Sequence, residues 1–414
     1  MTNDLPFALC SSPFALCYNR LVQKQAGIYI HIPFCERKCT YCNFNTTDFF
    51  DDLAARYIDA VAHELTWWGK HLMRQSGDRA QVDTIYFGGG TPSIVEADQL
   101  EKLLATCRAV FDVSRDCEVT IEVNPATLAG TKVDKWLSAG INRASVGVQS
   151  FIDRELLSLS RTHSAVEARS TIDVLRASGF KNISLDLIAG LPEQSLADWE
   201  YNLREALMIT PEHLSLYMLD LKEGTQLFAQ LKRGLRPEPD DDLTAEMYRM
   251  ISAATQAADY EHYEISNFAR IAGPNTSERF SQFRSKHNSK YWTGETFYGI
   301  GCGAHSYDGG ARWFNVLKTE TYIDRIAKAG NAIAERTELS EADRAAEALF
   351  MGLRLREGVS LTEFETEYGV DVIERYGAEL PRLTDAGLIE IGGGRLTLTP
   401  EGRLLSNEVF VSFV

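Results

Sequence analysis

A regular alternation of short apolar runs and amphipathic stretches dominates the first half of this sequence, from Gly27 to Leu219. The apolar runs have the length of buried strands, and the amphipathic stretches carry apolar residues at helical spacing. The pattern predicts strands at 27–32, 82–89, 117–123, 142–148, 182–188 and 213–219, and helices at 51–74, 97–111, 130–139, 164–178 and 195–208. Short connections between such units indicate a parallel sheet covered by helices, with right-handed crossovers. Six units are too few for a closed eight-stranded barrel.

Polar residues and glycines gather where these predicted strands end. The glycines at 88–90 and the following Thr91 come at the end of the second strand. Glycines leave their backbone N–H and C=O groups uncovered, so a ligand can approach them closely. Other strand ends carry Glu122, Asn124, Gln149 and Asp186. Because ligands of parallel α/β folds bind at the carboxyl ends of the strands, these residues are candidates for a binding site. On this ground alone, a purely structural role for each of them stays open.

Three cysteines, Cys35, Cys39 and Cys42, lie within eight residues directly after the first predicted strand. An odd trio cannot be used completely by a disulfide, and a structural zinc site needs a fourth ligand. A four-iron cluster with three protein thiolates leaves one iron open for an exchangeable ligand. The spacing therefore favours an iron–sulfur cluster, while a zinc site completed by His31 or a distant residue stays an alternative.

The pattern Cys-x3-Cys-x2-Cys, with Tyr41 just before the last cysteine, resembles the signature of the radical S-adenosylmethionine (SAM) superfamily. YIHIPFC at 29–35, YFGGGTPS at 86–93 and RASVGVQSF at 143–151 are similar to the branch that contains oxygen-independent coproporphyrinogen III oxidase and the heme chaperones. In the oxidase another cysteine typically follows two residues after the last cluster cysteine, whereas this chain has Phe44. This difference and the segment HNSKYW at 287–292 indicate the heme chaperone (HemW) family, and the resemblance extends from residue 27 to the C-terminus.

The resemblance implies an open, partial (β/α)6 barrel with a 4Fe-4S cluster bound by the three cysteines. It implies that SAM is bound by Tyr29, Tyr41, Gly89, Gly90, Thr91, Glu122, Gln149, Arg161 and Asp186. No protein acid or base is expected to be catalytic. The expected electron donor is a small protein such as a flavodoxin or ferredoxin.

Heme is the third expected cofactor, and the resemblance makes His287 the candidate ligand of its iron, with Tyr291 and Trp292 beside it. The acceptor protein that would receive heme is unknown. Two differences from the family pattern lie nearby. The connection 271–286 is longer than expected, and Cys302 replaces an expected proline. The alternatives are an oxidase of coproporphyrinogen, a radical SAM methyltransferase or tetrapyrrole-opening enzyme, and a zinc-stabilised binding protein.

Four regions are predicted. Residues 1–26, which contain PFALC twice, form an extension outside the fold, 27–235 form the partial barrel, 236–338 form a connecting, heme-proximal region, and 339–414 form a C-terminal domain. In the last region, helices are followed by a hairpin at 388–398, so an α+β winged-helix-like domain is expected.

Charge excludes some partner classes. The whole chain has a formal net charge of -16, and residues 341–414 contain fourteen acidic and seven basic residues. Because phosphate contacts require a basic surface, no nucleic-acid partner is expected. No run reaches the roughly 18 to 20 apolar residues that a membrane span requires. The five remaining cysteines are scattered, as is typical of reduced thiols in a cytoplasmic protein.

Overall fold

The computed structural model describes residues 25–125, 128, 130–271 and 281–413. The predicted N-terminal extension lies outside the described residues, apart from its last two. Most of the connection 271–286 lies outside them as well.

Strands and helices alternate through the first part of the chain, as the sequence pattern predicts. Their bounds are β1 (Ala26–Ile32), β2 (Phe34–Cys35), β3 (Thr47–Asp48), α1 (Asp51–Ser76), β4 (Gln81–Gly89), α2 (Ala97–Val110), β5 (Asp112–Val123), α3 (Gly130–Ala139), β6 (Arg143–Gln149), α4 (Asp153–Ser158), α5 (Ala165–Ser178), β7 (Ile183–Ala189), α6 (Leu196–Met208) and β8 (His213–Met218). Neighbours in the order β1-β4-β5-β6-β7-β8 pair in parallel. The expected six-unit parallel core is therefore confirmed.

The middle of the chain adds strands at both edges of this core. Its elements are α7 (Gln226–Lys232), α8 (Asp241–Ala257), β9 (Tyr260–Glu264), β10 (Asn267–Arg270), α9 (Lys286–Trp292), β11 (Phe297–Ile300), β12 (His305–Tyr307), β13 (Ala311–Asn315), α10 (Thr319–Ala329) and β14 (Ile333–Glu338). The result is one twelve-stranded sheet in the order β14-β13-β12-β11-β1-β4-β5-β6-β7-β8-β10-β9. Within the described part of the chain the two edge strands, β14 and β9, do not pair, so the barrel is open. The sequence pattern does not reveal that β11 pairs in parallel with β1.

In the first strand, β1, alternate side chains face the helices outside the barrel and the interior of the barrel. Ile28, Ile30 and Ile32 are fully buried in the main hydrophobic cluster under the helices. Because side chains alternate along a strand, Tyr29 and His31 face the interior of the barrel. The same alternation directs polar side chains inward on the neighbouring strands. The interior of the barrel therefore carries groups that can form hydrogen bonds with a ligand.

The C-terminal part forms its own hydrophobic cluster of helices and a small antiparallel sheet. Its elements are α11 (Glu341–Leu353), β15 (Val359–Ser360), α12 (Leu361–Tyr368), α13 (Val372–Arg375), α14 (Glu379–Asp385), β16 (Ile389–Gly392), β17 (Arg395–Leu398), α15 (Pro400–Leu404) and α16 (Ser406–Phe410). Arg354 joins it to the sheet through an ion pair with the buried Glu264 at 2.6 Å. The expected helices and hairpin are present, and the exact division of the chain into domains stays a prediction.

Candidate functional site

The loop that carries the three cysteines lies at the carboxyl end of the barrel. Cys35 ends β2, and Cys39 and Cys42 follow before β3. Thr40, between them, is buried, and its backbone N–H donates to the carbonyl of Leu159 at 3.1 Å. All three thiols are free and partly exposed. The loop is therefore anchored to the barrel while its thiols stay accessible.

A cavity of about 480 Å³, here called the cysteine cavity, opens beside this loop. It brings together the three cysteines and eight of the other residues predicted for the site: Tyr41, Gly89, Gly90, Thr91, Glu122, Gln149, Arg161 and Asp186. Tyr41 comes from the loop, and the glycines, Thr91, Glu122 and Gln149 come from the ends of parallel strands, as the sequence predicts. Asp186 lies within β7, and Arg161 lies between α4 and α5. Tyr29 and His287 do not line this cavity.

The glycine run at the end of β4 passes too close to β1 and to the residues directly after it for any side chain. A Cβ on Gly89 would lie 2.6 Å from the ring of His31, and one on Gly90 would lie 2.6 Å from the carbonyl oxygen of Pro33. Gly89 also has φ of +121°, which favours glycine. The hydroxyl of Thr91, directly after the run, lies 3.5 Å from the sulfur of Cys35. The glycines therefore leave bare backbone against one wall of the cavity.

Two carboxyl groups face the cysteine cavity from neighbouring parts of the sheet. Glu122 accepts hydrogen bonds from the hydroxyl of Tyr86 and the backbone N–H of Gly89, both at 3.0 Å. Burial raises the pKa of Glu122 to about 7. Asp186 accepts from the hydroxyl of Ser145 at 3.1 Å, and burial raises the pKa of Asp186 as well. These groups can accept hydrogen bonds from hydroxyl or amino groups of a bound ligand.

Arg161 places a positive charge beside the cysteines. One of its guanidinium nitrogens donates to the sulfur of Cys39 at 3.7 Å, and another donates to the carbonyl of Gly147 at 2.7 Å and to the side chain of Asn124 at 3.1 Å. Burial raises the pKa of Cys35 to about 11 and also raises the pKa of Cys42, whereas the guanidinium of Arg161 acts on both in the opposite direction, toward the ionised form that binds iron.

Gln149 and Tyr41 complete the wall. Gln149 ends β6 with φ of 65°, a left-handed conformation that is uncommon for a residue with a side chain. Tyr41 packs against a small apolar cluster that contains Leu159, Ile188 and Leu191. The lining of the cavity therefore includes apolar side chains, Tyr41 and Ile188 among them, as well as charged groups.

A second cavity of about 670 Å³, here called the aromatic cavity, adjoins the first. Its lining consists of Tyr29, His31, Asn43, Phe44, Asn45, Gly89, Glu122, Tyr291, Phe297, Gly303, Ala304, His305 and Leu317. The two cavities share Asn43, Phe44, Gly89 and Glu122. Tyr29, predicted for the SAM pocket, lies here instead. The sequence analysis did not identify this cavity, although three of its lining residues, Gly303, Ala304 and His305, belong to the segment GIGCGAHS at 299–306.

His287 is buried inside the barrel, with 1% of its surface exposed. Its Nδ1 lies 2.8 Å from the hydroxyl of Thr84, and its Nε2 lies 3.0 Å from the hydroxyl of Tyr291. Thr84 lies five residues before Gly89 on β4, which corresponds to roughly 16 Å along the strand. The assignment of His287 as a heme ligand stays a prediction. In this conformation both ring nitrogens are already paired.

The described residues contain neither a site for a single metal ion nor a helix that could span a membrane. No three His, Cys, Asp or Glu side chains are grouped so that they could hold a single metal ion. No helix among them is long and apolar enough to cross a bilayer. Cys302, which differs from the expected family pattern, is buried with its sulfur 3.5 Å from the hydroxyl of Tyr57, and it lines neither cavity.

Comparisons with known proteins agree with this architecture. Residues 29–206 match the radical SAM superfamily, and residues 339–405 match the HemN C-terminal domain. The solved structure of coproporphyrinogen III oxidase (HemN) from Escherichia coli aligns with a TM-score of 0.80 and 22% identity, over 95% of this chain and 91% of that one. This last similarity concerns the fold. The chain is therefore a radical SAM protein with a C-terminal domain of the HemN type.

Full-length relatives define the family more narrowly. The heme chaperone HemW of Bacillus subtilis is 36% identical over 387 residues, which is 93% of this chain and 98% of that protein. HemW of Lactococcus lactis is 33% identical, over 95% and 98% of the two chains, and HemW of Mycobacterium tuberculosis H37Rv is 35% identical, over 92% and 93%. The chain belongs to the HemW family. The family expected from the motifs is thereby confirmed.

Proposed function

We propose that this protein is a heme chaperone that binds a 4Fe-4S cluster and SAM in the cysteine cavity, binds heme, and passes heme to an acceptor protein. The observation that carries the proposal is the arrangement of the two cavities. Three free thiols and the strand-end polar groups line one of them, and it shares a wall with the aromatic cavity. Membership of the HemW family supports the same activity.

The residues of the cysteine cavity fit an iron–sulfur cluster. Cys35, Cys39 and Cys42 would supply three thiolates, and Arg161 beside Cys39 would offset part of their negative charge. Thr91 lies close enough to Cys35 to donate a hydrogen bond to its sulfur. When bound, a cluster of this type supplies one-electron reduction.

The rest of the cysteine cavity fits SAM. The bare backbone at Gly89 and Gly90 would admit the methionine end of the cofactor. Glu122 and Asp186 would accept hydrogen bonds from its amino and hydroxyl groups, because their oxygens face the cavity. Gln149 would add an amide, and Tyr41 an apolar contact. These chain groups orient the cofactor and shield it from water.

The alternative, a radical SAM enzyme that acts on a tetrapyrrole, has less support. The oxidase typically has a further cysteine where this chain has Phe44, and Phe44 lines both cavities. Among the described residues, no cysteine belongs to the wall that the two cavities share. The heme acceptor stays unidentified, and a flavodoxin or ferredoxin as the electron donor stays a prediction.

Anaerobic reconstitution with iron and sulfide tests the cluster, and the proposal expects about four irons bound per chain. Cys39→Ala is expected to lose most of this iron, whereas Cys107→Ala, a buried cysteine on α2, keeps it. Hemin titration of the same preparation should show binding, and apomyoglobin added afterwards should take up the heme, since a chaperone must release it. An iron content unaffected by Cys39→Ala, or hemin that is never released, would contradict the proposal.

A further inference from the structure

A row of polar side chains lies inside the barrel, one step below the cysteine cavity, toward the amino ends of the strands. Strand pairing places Thr120 of β5 beside Arg143 of β6, and it places Asn182, directly before β7, on the other side of Arg143. The residue that follows each of these three along the chain belongs to the hydrophobic cluster under the helices, so their own side chains face the interior. The three residues are here called the interior row.

The interior row adjoins the cysteine cavity through the next inward-facing residues of the same strands. Glu122 comes two residues after Thr120 on β5, a distance of roughly 7 Å. Ser145 follows Arg143 on β6 at the same spacing. Both Glu122 and Ser145 line the cavity, and the hydroxyl of Ser145 donates to Asp186 at 3.1 Å. Arg143 therefore lies directly below the carboxyl groups of this cavity.

Four atoms of the interior row are buried and have no hydrogen-bond partner among the described residues. They are Oγ1 of Thr120, Nε and Nη1 of Arg143, and Oδ1 of Asn182. Arg143 has only 1% of its surface exposed. A buried polar atom without a partner is unfavourable, and a buried charge without one is more so. Because the row combines unpaired donors with unpaired acceptors, enclosed water molecules would satisfy both.

The charge of Arg143 acts on both carboxyl groups above it. Burial raises the pKa of Glu122 and of Asp186, and Arg143 opposes this effect at each of them. The carboxyl oxygens have other hydrogen-bond donors, which are Tyr86 and Gly89 for Glu122 and serine hydroxyls for Asp186. The guanidinium thus influences the pair from a distance, which water enclosed in the interior row would bridge.

Tyrosines and histidines complete the surroundings of the two carboxyl groups, and they are neutral at neutral pH. Desolvation lowers the pKa of His31 to about 4 and that of His287 to about 3. It raises the pKa of Tyr29 of β1, Tyr86 of β4, Tyr217 of β8 and Tyr291 of α9. Arg161 also lines the cavity, but its guanidinium bonds to Cys39 and Gly147. Arg161 therefore supplies positive charge beside the cysteines, and Arg143 supplies it below the carboxyl groups.

We propose that Arg143 is a positioning residue of the SAM site, and that it holds Glu122 and Asp186 as hydrogen-bond acceptors through water enclosed in the interior row. The inference rests on the proposed function, because it concerns the site proposed for SAM. The amino group and the ribose hydroxyls of SAM are donors. An ionised carboxyl group accepts with both oxygens, whereas a protonated one donates from one of them. Loss of the charge below the pair should therefore weaken SAM binding most where the carboxyl groups are protonated.

Equilibrium dialysis of SAM against the anaerobically reconstituted full-length protein, from about pH 6 to about pH 8.5, tests this role. In the wild type, SAM affinity should rise with pH through about 7, the pKa of Glu122. In Arg143→Met the same rise should occur roughly one pH unit higher, because the opposing positive charge is gone. The Kd for SAM should then be roughly fivefold larger at neutral pH, and the difference should shrink at the alkaline end.

Two variants separate charge from structure. Arg143→Lys keeps a positive charge and should keep the pH profile of the wild type, even where its affinity differs by a constant factor. Arg115→Met, at an exposed arginine of β5, is the matched control and should change neither affinity nor profile. All variants are compared at equal iron content and at equal folded fraction by circular dichroism.

A crystal structure of the wild type provides a test that does not depend on any variant folding. Ordered water molecules should bridge the guanidinium of Arg143 to Thr120, to Asn182 and to the carboxyl groups above. A dry interior row would overturn the inference. A bound anion in place of water would overturn it as well, since the anion would neutralise Arg143 locally.

The dialysis outcomes distinguish this inference from the proposed function. If Arg143→Met raises the Kd for SAM by the same factor at every pH, or leaves it unchanged, Arg143 does not act through the carboxyl groups and the inference is overturned. If the wild type retains iron and sulfide but binds no SAM, the proposed function itself fails.

Discussion

Glu122 accepts a hydrogen bond from the backbone N–H of Gly89 at 3.0 Å, and both residues line both cavities. A single carboxyl group thus fixes the glycine run at the wall shared by the two cavities. Its second oxygen accepts from the hydroxyl of Tyr86. A substitution of Glu122 should therefore alter ligand binding in the cysteine cavity while the cysteines themselves stay unchanged.

Glu122→Gln is expected to raise the Kd for SAM roughly tenfold, since the amide can accept at only one end and loosens one of the two contacts. Equilibrium dialysis of SAM against the reconstituted protein measures the effect. Glu101→Gln, an exposed residue of α2, is the control and should change nothing. Equal SAM affinity in both variants would show that Glu122 does not contribute to this site.

Arg161→Met should lower the iron retained after reconstitution, because the guanidinium beside Cys39 and its bond to Gly147 are lost while the length of the side chain is approximately kept. Iron and sulfide analysis after gel filtration measures the loss. Arg74→Met, at an exposed position near the end of α1, should retain the wild-type amount. Full iron retention in Arg161→Met would argue against a role for this charge in cluster binding.

Gly90→Ala should destabilise the fold by about 1–3 kcal/mol, because the added Cβ would lie 2.6 Å from the carbonyl oxygen of Pro33 and 2.8 Å from that of Phe34. Both are backbone atoms of the segment that leads to Cys35, so the iron content should fall as well. Gly130→Ala adds a Cβ in open space at the first residue of α3 and should be neutral or stabilising. Denaturant unfolding measures the free energy of unfolding of both variants. Equal values would show that the backbone of Pro33 and Phe34 does not exclude a side chain at position 90.

Glu64 is expected to make the free energy of unfolding depend on pH. Its buried carboxyl accepts from Tyr322 at 2.6 Å, Gly301 at 2.8 Å and Asn315 at 2.8 Å, and burial raises its pKa to about 7. In the unfolded chain the pKa of a glutamate is about 4.3. Between this pH and about 7, the folded state therefore binds more protons than the unfolded state. The contribution of Glu64 to the free energy of unfolding is complete below about 4.3 and is lost as the pH rises through about 7.

The whole contribution of this group is roughly 4 kcal/mol. Glu64→Gln should therefore flatten the decrease of unfolding free energy between about pH 5 and 7, because the amide does not titrate. Denaturant unfolding at a series of pH values measures both slopes. Parallel curves for the variant and the wild type would show that Glu64 does not titrate in this range.

The parallel core could be predicted from the sequence because each of its strands is buried and carries its own apolar run. At β5 the pattern misses the first five residues. Asp112 and Val113 are polar or partly exposed, and they extend the strand only because they pair with Gln81 and Val82 of β4. The strands β11 to β14 have three to six residues each, which is too short for a periodic signal.

The residues of the cysteine cavity could be predicted because they follow strands whose carboxyl ends must meet. Tyr29 shows the limit of this reasoning. Alternation along β1 places its ring inside the barrel but cannot decide which cavity it lines. His287 shows a second limit, since its partners Thr84 and Glu118 lie 203 and 169 residues away in the sequence. A motif cannot report burial that depends on such distant contacts.

The most direct test of the chaperone account measures hemin binding and coproporphyrinogen consumption on one anaerobically reconstituted sample supplied with SAM and reductant. The account predicts that the wild type binds hemin and leaves coproporphyrinogen unchanged. Oxidative decarboxylation of coproporphyrinogen by this sample, or its failure to bind hemin, would contradict the account.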